Sequence, residues 1–171
     1  PLSSKSPATA YVIENDGSAY FDDLLRMLLL NGVEVERTTE EIAAPATSYR
    51  TRVRAKTTLP TGSLIVGTEQ PRHLFVNSIL SQDLQIEDSV MYDMSTWSAP
   101  LAYNLEAYTI SSPLTVDTEP VTEVTTSGQY VAGNVSAPTY AYVVPWEQRN
   151  APAALAALWK ADYRVRTALS P

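Results

Sequence analysis

The sequence contains no cysteine and only one histidine, and these two shortages exclude several kinds of reactive site. Without thiols the chain cannot form disulfides, zinc–thiolate centres or a cysteine nucleophile. The single histidine, His73, is too little for a histidine-pair zinc site. We interpret His73 as a partly exposed helix residue. We expect no catalytic residue and no metal ligand in this chain.

Basic residues are also scarce, with 12 lysines and arginines against 19 acidic residues and a formal net charge of -7. This balance argues against binding to nucleic acid, whose phosphates require a basic face, and against binding to an anionic membrane surface. No apolar run is long enough to span a bilayer. The length of 171 residues and the hydrophobic content of 44% predict one globular domain with its own core.

A strand–helix–strand pattern occupies residues 10–37. Residues 10–13 form a short apolar run, and Ser18 is suited to cap the helix that follows. Residues 20–30 place leucines at helical spacing, and residues 33–36 alternate between apolar and charged side chains. The pattern predicts a β–α–β unit, the building block of a parallel sheet.

A similar pattern returns over residues 140–167. Residues 140–144 predict a strand, Asn150 and Pro152 mark the start of a helix, and residues 163–166 predict a second strand. The two related β–α–β units predict an α/β fold of three layers, with a mostly parallel sheet flanked by helices. We expect residues 1–9 to be a loose lead-in and residues 10–171 to form a single α/β domain.

The segments between the two units carry weaker patterns. Residues 38–48 are polar and predict a loop, and residues 49–56 predict a strand or hairpin arm. Residues 63–66 predict a buried strand. Residues 72–80 predict a helix whose inward side chains are Leu74, Phe75, Ile79 and Leu80.

The two turns that follow the predicted first strands are the candidate ligand sites. Asn15 and Asp16 lie in the first turn, and Trp146 and Glu147 lie in the second. Ligands of open α/β sheets bind at such strand ends, so the two turns could share a crevice. The turns lack the glycine spacing of dinucleotide and phosphate loops, which argues against those cofactors. The alternative for the first turn, which we favour, is a tight turn with Gly17 at positive φ.

Several short motifs follow one another in an order that resembles a known family. They are YVI at 11–13, GVEV at 32–35, LPTGSLIV at 59–66, EQPR at 69–72, YD at 92–93 and WSAPL at 97–101. This set resembles the C-terminal region of bacterial M14-type zinc carboxypeptidases over roughly residues 10–105. In that family a peptidase domain precedes an α/β domain similar to the class I glutamine amidotransferases, which has a flavodoxin-like arrangement.

The resemblance implies a non-catalytic accessory domain. Neither the zinc ligands of the peptidase nor the nucleophilic cysteine of the amidotransferases has a counterpart in this sequence. The resemblance therefore implies zinc only in a missing peptidase domain of the same parent chain, which would be the partner. It also implies export to the periplasm or the cell exterior. We expect Pro1 to be a processing or excision boundary within that parent.

Two other functions fit the residues. One is a free-standing module that binds cell-wall sugars or peptides beside Asn15, Asp16 and Trp146. The other is an enzyme that uses carboxylates alone, which would need two carboxyl groups facing each other across a water-sized gap.

Overall fold

The chain divides into two compact units, Pro1–Ser127 and Gly128–Pro171. The division falls before the second of the two predicted β–α–β units. In this computed structural model the described residues are 8–82, 98–125, 140–146 and 148–167.

The first unit is built on a seven-stranded sheet. Its strands are β1 (Ala10–Ile13), β2 (Glu36–Thr38), β3 (Ile42–Ser48), β4 (Arg54–Leu59), β5 (Leu64–Gly67), β6 (Ala107–Ile110) and β7 (Thr118–Pro120). The order across the sheet is β4-β3-β6-β1-β5-β2-β7, so β1 lies at the centre. Each pair of neighbouring strands in the described part of the chain is antiparallel. The helices of this unit are α1 (Ala19–Leu30), α2 (His73–Leu80) and α3 (Ala99–Ala102).

The predicted three-layer, mostly parallel α/β sheet is wrong, and the position of β5 explains why. Strands β1 and β2 are both antiparallel to β5, which lies between them, so β1 and β2 run in the same direction without touching. Helix α1 therefore connects two like-directed strands, as the pattern over 10–37 indicates. The pattern of one segment does not reveal that a later strand inserts between them, which makes the unit a split β–α–β arrangement.

Helix α1 forms where the sequence predicts it and covers one face of the sheet. The Ser18 side chain accepts a hydrogen bond from the Phe21 backbone N–H at 3.2 Å, which confirms Ser18 as the N-cap. After the helix, Gly32 adopts φ +70°, a left-handed conformation that glycine reaches without strain. The buried side chains of the helix are Phe21, Leu24, Leu25 and Leu28, and they pack in one cluster with Tyr11, Ile13, Leu64 and Val66.

The other face of the sheet is packed without a helix in the described part of the chain, and side chains of strands β3 and β4 contribute to its core. Strand β3 alternates buried and less buried residues, and its Ile42, Ala44 and Ala46 pack in a second cluster with Val12 and Ile65. Residues 42–48 were predicted as part of a loop, and this prediction is wrong. Pro45 obscured the strand pattern. It is tolerated because β3 pairs with β6 only through Thr47 and Ser48, so Pro45 needs no N–H on that side.

Helix α2 confirms the helix predicted over 72–80 and most of its inward side chains, since Leu80 is buried and Phe75 and Ile79 pack against the core. Val76 and Leu80 are buried, whereas Leu74, predicted to point inward, is 54% exposed. Strand β5 confirms the predicted buried strand near 63–66.

The second compact unit contains helix α4 (Ala151–Lys160). This helix confirms the one predicted to start near Asn150 and Pro152. Residues 140–144 and 163–166 form no strand, so the second predicted β–α–β unit is wrong. Tyr140 and Val143 are exposed, as is most of the described part of this unit. An alternating pattern forms a stable strand only when a neighbouring strand supplies hydrogen bonds. The described residues of this unit include no strand that could do so.

Candidate functional site

One end of the sheet collects the polar side chains of three chain segments. Ile13, the last residue of β1, pairs with Leu64 and Ala107, which are the first residues of β5 and β6. Ser48 at the end of β3 pairs with Tyr108 and so lies at the same end. The antiparallel register thus brings together residues distant in sequence. We call this group the polar end; it consists of Glu14, Asn15, Asp16, Arg50, Asn104, Glu106 and Tyr108.

The predicted site residues Asn15 and Asp16 build the turn from β1 into α1. The Asn15 Oδ1 accepts the Gly17 backbone N–H at 2.9 Å, and the Asp16 Oδ1 accepts the Ser18 backbone N–H at 2.9 Å. Gly17 has φ +70°, which confirms the tight turn that we favoured for this segment. Both side chains are exposed. Ligand binding by Asn15 and Asp16 stays a prediction.

Asn15 also lies against the turn that precedes β5. A β-carbon built on Gly62 would lie 3.6 Å from the Asn15 Nδ2 atom. Gly62 has φ +86°, in the left-handed region. The two turns at this end of the sheet are therefore in van der Waals reach of one another.

Arg50 links the β3–β4 turn to the segment before β6. Its guanidinium forms an ion pair with the Glu106 carboxylate. The same guanidinium donates to the Asn104 carbonyl oxygen at 3.2 Å and to the Asn104 Oδ1 at 3.0 Å. The Arg50 and Glu106 side chains are 42% and 43% exposed, so the ion pair fixes geometry more than it adds stability.

The environment of Tyr108 in the polar end raises the pKa of its phenol. Its partial burial, its hydrogen bond to the Glu14 carboxylate and the charges of Glu14 and Glu106 raise its pKa to about 12. The phenol stays protonated at neutral pH and donates a hydrogen bond to the Glu14 carboxylate. The backbone holds these two segments in register, because the Glu14 N–H donates to the Glu106 carbonyl oxygen at 3.0 Å.

The polar end offers carboxylate acceptors, one phenol donor and one arginine that Glu106 already engages. Such a set suits hydrogen bonding to a hydroxyl-rich or cationic ligand. In the described ranges, no group of three or more histidine, aspartate and glutamate residues is placed to hold a metal ion. No helix of the described part is long and apolar enough to cross a membrane, as we expected.

The predicted residues of the second turn belong to the other unit. The Trp146 side chain is 62% exposed, and Glu147 lies outside the described residues. A crevice shared by the two turns stays a prediction.

Sequence reasoning missed Arg50, Glu106 and Tyr108. The available signal was the alternation over residues 49–56 and 104–108, which predicts strands whose ends could meet the end of β1. It is informative only once the strands are known to be antiparallel.

No family model, curated protein or solved structure matches this chain.

Proposed function

We propose that this chain is a non-catalytic accessory domain of an M14-type zinc carboxypeptidase, where it supports the peptidase domain or its substrate binding. The proposal retains the resemblance in residue motifs and abandons the amidotransferase-like fold. One observation supports it above others: two polar side chains of the motifs, Gln70 and Ser63, bond to backbone groups of the same chain. Motif residues that bond within the chain make the domain rigid, and a rigid domain fits the role of supporting a neighbouring peptidase domain.

The EQPR motif places Gln70 in a buried position between β5 and α2. Its Oε1 accepts the Glu34 backbone N–H at 2.8 Å. Its Nε2 donates to the Glu34 carbonyl oxygen at 3.1 Å and to the Gly67 carbonyl oxygen at 2.7 Å. The side-chain amide is thus occupied by backbone groups of the same chain.

The LPTGSLIV motif forms the turn that enters β5 and ties it to β2. The Ser63 hydroxyl donates to the Pro60 carbonyl oxygen at 2.7 Å. The Gly62 N–H donates to the Thr38 carbonyl oxygen at 2.9 Å, and the Thr38 N–H donates to the Ser63 carbonyl oxygen at 3.0 Å. The polar groups of this motif therefore close the end of the β2–β5 pair.

The remaining described motif residues are mostly apolar and packed. Val33 and Val35 of the GVEV motif are buried, as are Ala99 and Pro100 of the WSAPL motif. Trp97 and the YD motif lie outside the described residues. These contacts are consistent with a rigid support.

The test uses the parent polypeptide. We expect its reading frame to encode a peptidase domain with the zinc-binding histidines and glutamate, and the purified product to contain zinc and remove C-terminal residues from peptides. Gln70→Ala should lower the temperature at which the peptidase activity is lost, whereas Gly67→Ala, a nearby change with open space around the new methyl group, should not. A parent without a zinc peptidase domain, or equal behaviour of the two variants, would contradict the proposal.

The alternative function, a ligand-binding module for cell-wall sugars or peptides, is favoured by the acceptor groups of the polar end. Its test is an NMR titration of the chain with soluble cell-wall disaccharide and stem peptide. Shifts centred on Asn15, Glu106 and Tyr108 that Glu14→Gln abolishes would support this alternative. Absence of binding at millimolar ligand would reject it.

A further inference from the structure

The β4 edge of the sheet is open to another strand. Strand β4 has six residues, contains no proline and has β3 as its only neighbour in the described part of the chain. The opposite edge is protected, because β7 has three residues and ends in Pro120. Backbone groups on the outer side of β4 can therefore accept a strand.

The β4 edge also carries positive charge in a chain of net charge -7. Arg54 and Lys56 alternate along β4, so both point to the same face, about 7 Å apart. They stand opposite Thr47 and Pro45 of β3. Both are exposed, and within the described ranges neither forms an ion pair.

The other face of β4 differs in character. It presents Ala55, Thr57 and Leu59, of which Leu59 is buried in the cluster that contains Val12. An added strand would thus meet positive charge on one face and small or apolar side chains on the other.

A second copy of this chain is a poor occupant of the edge. Pairing β4 with β4 of another molecule would bring Arg54 and Lys56 close to the same two cations, and like charges on neighbouring strands are destabilising. The same charges attract a strand that carries carboxylates at alternate positions.

We propose that the β4 edge binds an acidic extended peptide as an added strand. Its backbone pairs with the outer side of β4, its carboxylates lie across from Arg54 and Lys56, and its intervening small apolar residues lie beside Ala55 and Thr57. Main-chain hydrogen bonds supply the affinity, and the alternating charge supplies the specificity. This inference does not depend on the proposed accessory function.

The probe is a terminally blocked peptide of alternating glutamate and valine, with two comparison peptides. In one, lysine replaces glutamate; in the other, the backbone amides along one edge are N-methylated, which removes strand hydrogen bonds but leaves the charges. We expect the acidic peptide to bind and to slow amide hydrogen exchange in Arg54–Leu59. The lysine peptide loses the charge attraction, and the N-methylated peptide loses the strand hydrogen bonds. Each should bind at least about tenfold more weakly than the acidic peptide, which corresponds to about 1.4 kcal/mol of binding free energy. Equal binding of the N-methylated peptide would overturn strand addition.

Charge reversal in the chain tests the same proposal, and a second charge-reversed variant serves as its matched control. The double variant Arg54→Glu/Lys56→Glu should lose the acidic peptide and gain the lysine peptide. The double variant Arg26→Glu/Lys160→Glu makes the same change in net charge at exposed helical positions and should keep the preference of the original chain. The unfolding midpoints of both variants should stay close to that of the original. Failure of the acidic peptide to bind, or an equal loss in both variants, would overturn the proposal.

Discussion

Gln70 pairs with the backbone of Glu34 as a neighbouring strand would. Glu34 lies between the end of α1 and the start of β2, outside the paired residues of the sheet. The Gln70 amide accepts from the Glu34 N–H and donates to the Glu34 carbonyl oxygen, so it satisfies both backbone groups. One side chain thus fixes the entry of the chain into β2.

Removing this amide should destabilise the first unit. Gln70→Ala leaves three backbone groups without their partner, and we expect a loss of about 1–3 kcal/mol in the free energy of unfolding. Gln70→Glu should also destabilise, because a carboxylate cannot donate to the Glu34 and Gly67 carbonyl oxygens. Urea unfolding followed by circular dichroism measures both. Unchanged midpoints would show that Gln70 does not hold Glu34.

Burial of α1 predicts a contrast between two leucines of the same helix. Leu28 is 0% exposed and Leu30 is 81% exposed. Leu28→Ala should cost about 2–5 kcal/mol, because it removes packed methyl groups and leaves a cavity. Leu30→Ala preserves helix propensity and should change stability by less than about 0.5 kcal/mol. Similar losses for the two variants would refute the orientation of α1 on the sheet.

Two glycines at opposite ends of β5 give a test of backbone conformation. Gly62 has φ +86°, so Gly62→Ala should cost about 1–2 kcal/mol. Gly67 has no atom within 4 Å of an added β-carbon, and its φ is not positive. Gly67→Ala should therefore be neutral or slightly stabilising, because glycine is unfavourable in strands. Thermal melts of the two variants provide the comparison, and an equal response would argue against the turn at Gly62.

Ionisation of Tyr108 should differ from that of an exposed tyrosine. Its folded pKa of about 12 lies above the ordinary value of 10.0. The stability that Tyr108 contributes is therefore present below pH 10 and is lost as the pH rises from about 10 towards 12. The difference in ultraviolet absorbance between the original chain and Tyr108→Phe should show this midpoint.

The Glu14→Gln variant separates the causes of the Tyr108 shift. It removes the carboxylate acceptor and its charge but leaves the burial, which is the largest cause. The midpoint should then fall part of the way towards 10. A midpoint near 10 in the original chain would contradict the contact between Tyr108 and Glu14.

The sequence predicts single elements of this fold better than their arrangement. Helix α1, its Ser18 cap and the buried strand β5 follow from local spacing and capping chemistry, and all are observed. The order of strands does not follow, because β5 lies between β1 and β2 through pairing with residues 51–57 positions away in β1 and 27–29 positions away in β2. Local periodicity carries no information about such pairing.

The prediction of a second β–α–β unit over residues 140–167 is wrong for a related reason. The segment 140–144 has the composition of a strand, but its side chains are exposed and it forms no strand. Similarly, the polar end could not be assembled from the sequence, because Glu14, Arg50 and Tyr108 meet only through the antiparallel register of β1, β3 and β6. Asn15 and Asp16 are predicted as site residues because they adjoin a recognisable strand, and their role stays a prediction.

The most direct test of this account is the pattern of nuclear Overhauser effects around β1. We predict α-proton contacts between residues of Ala10–Ile13 and residues of both Leu64–Gly67 and Ala107–Ile110, with the antiparallel registers Val12–Ile65 and Val12–Tyr108. Contacts of β1 with residues 33–36 in a parallel register would contradict the antiparallel sheet and restore the simple β–α–β unit.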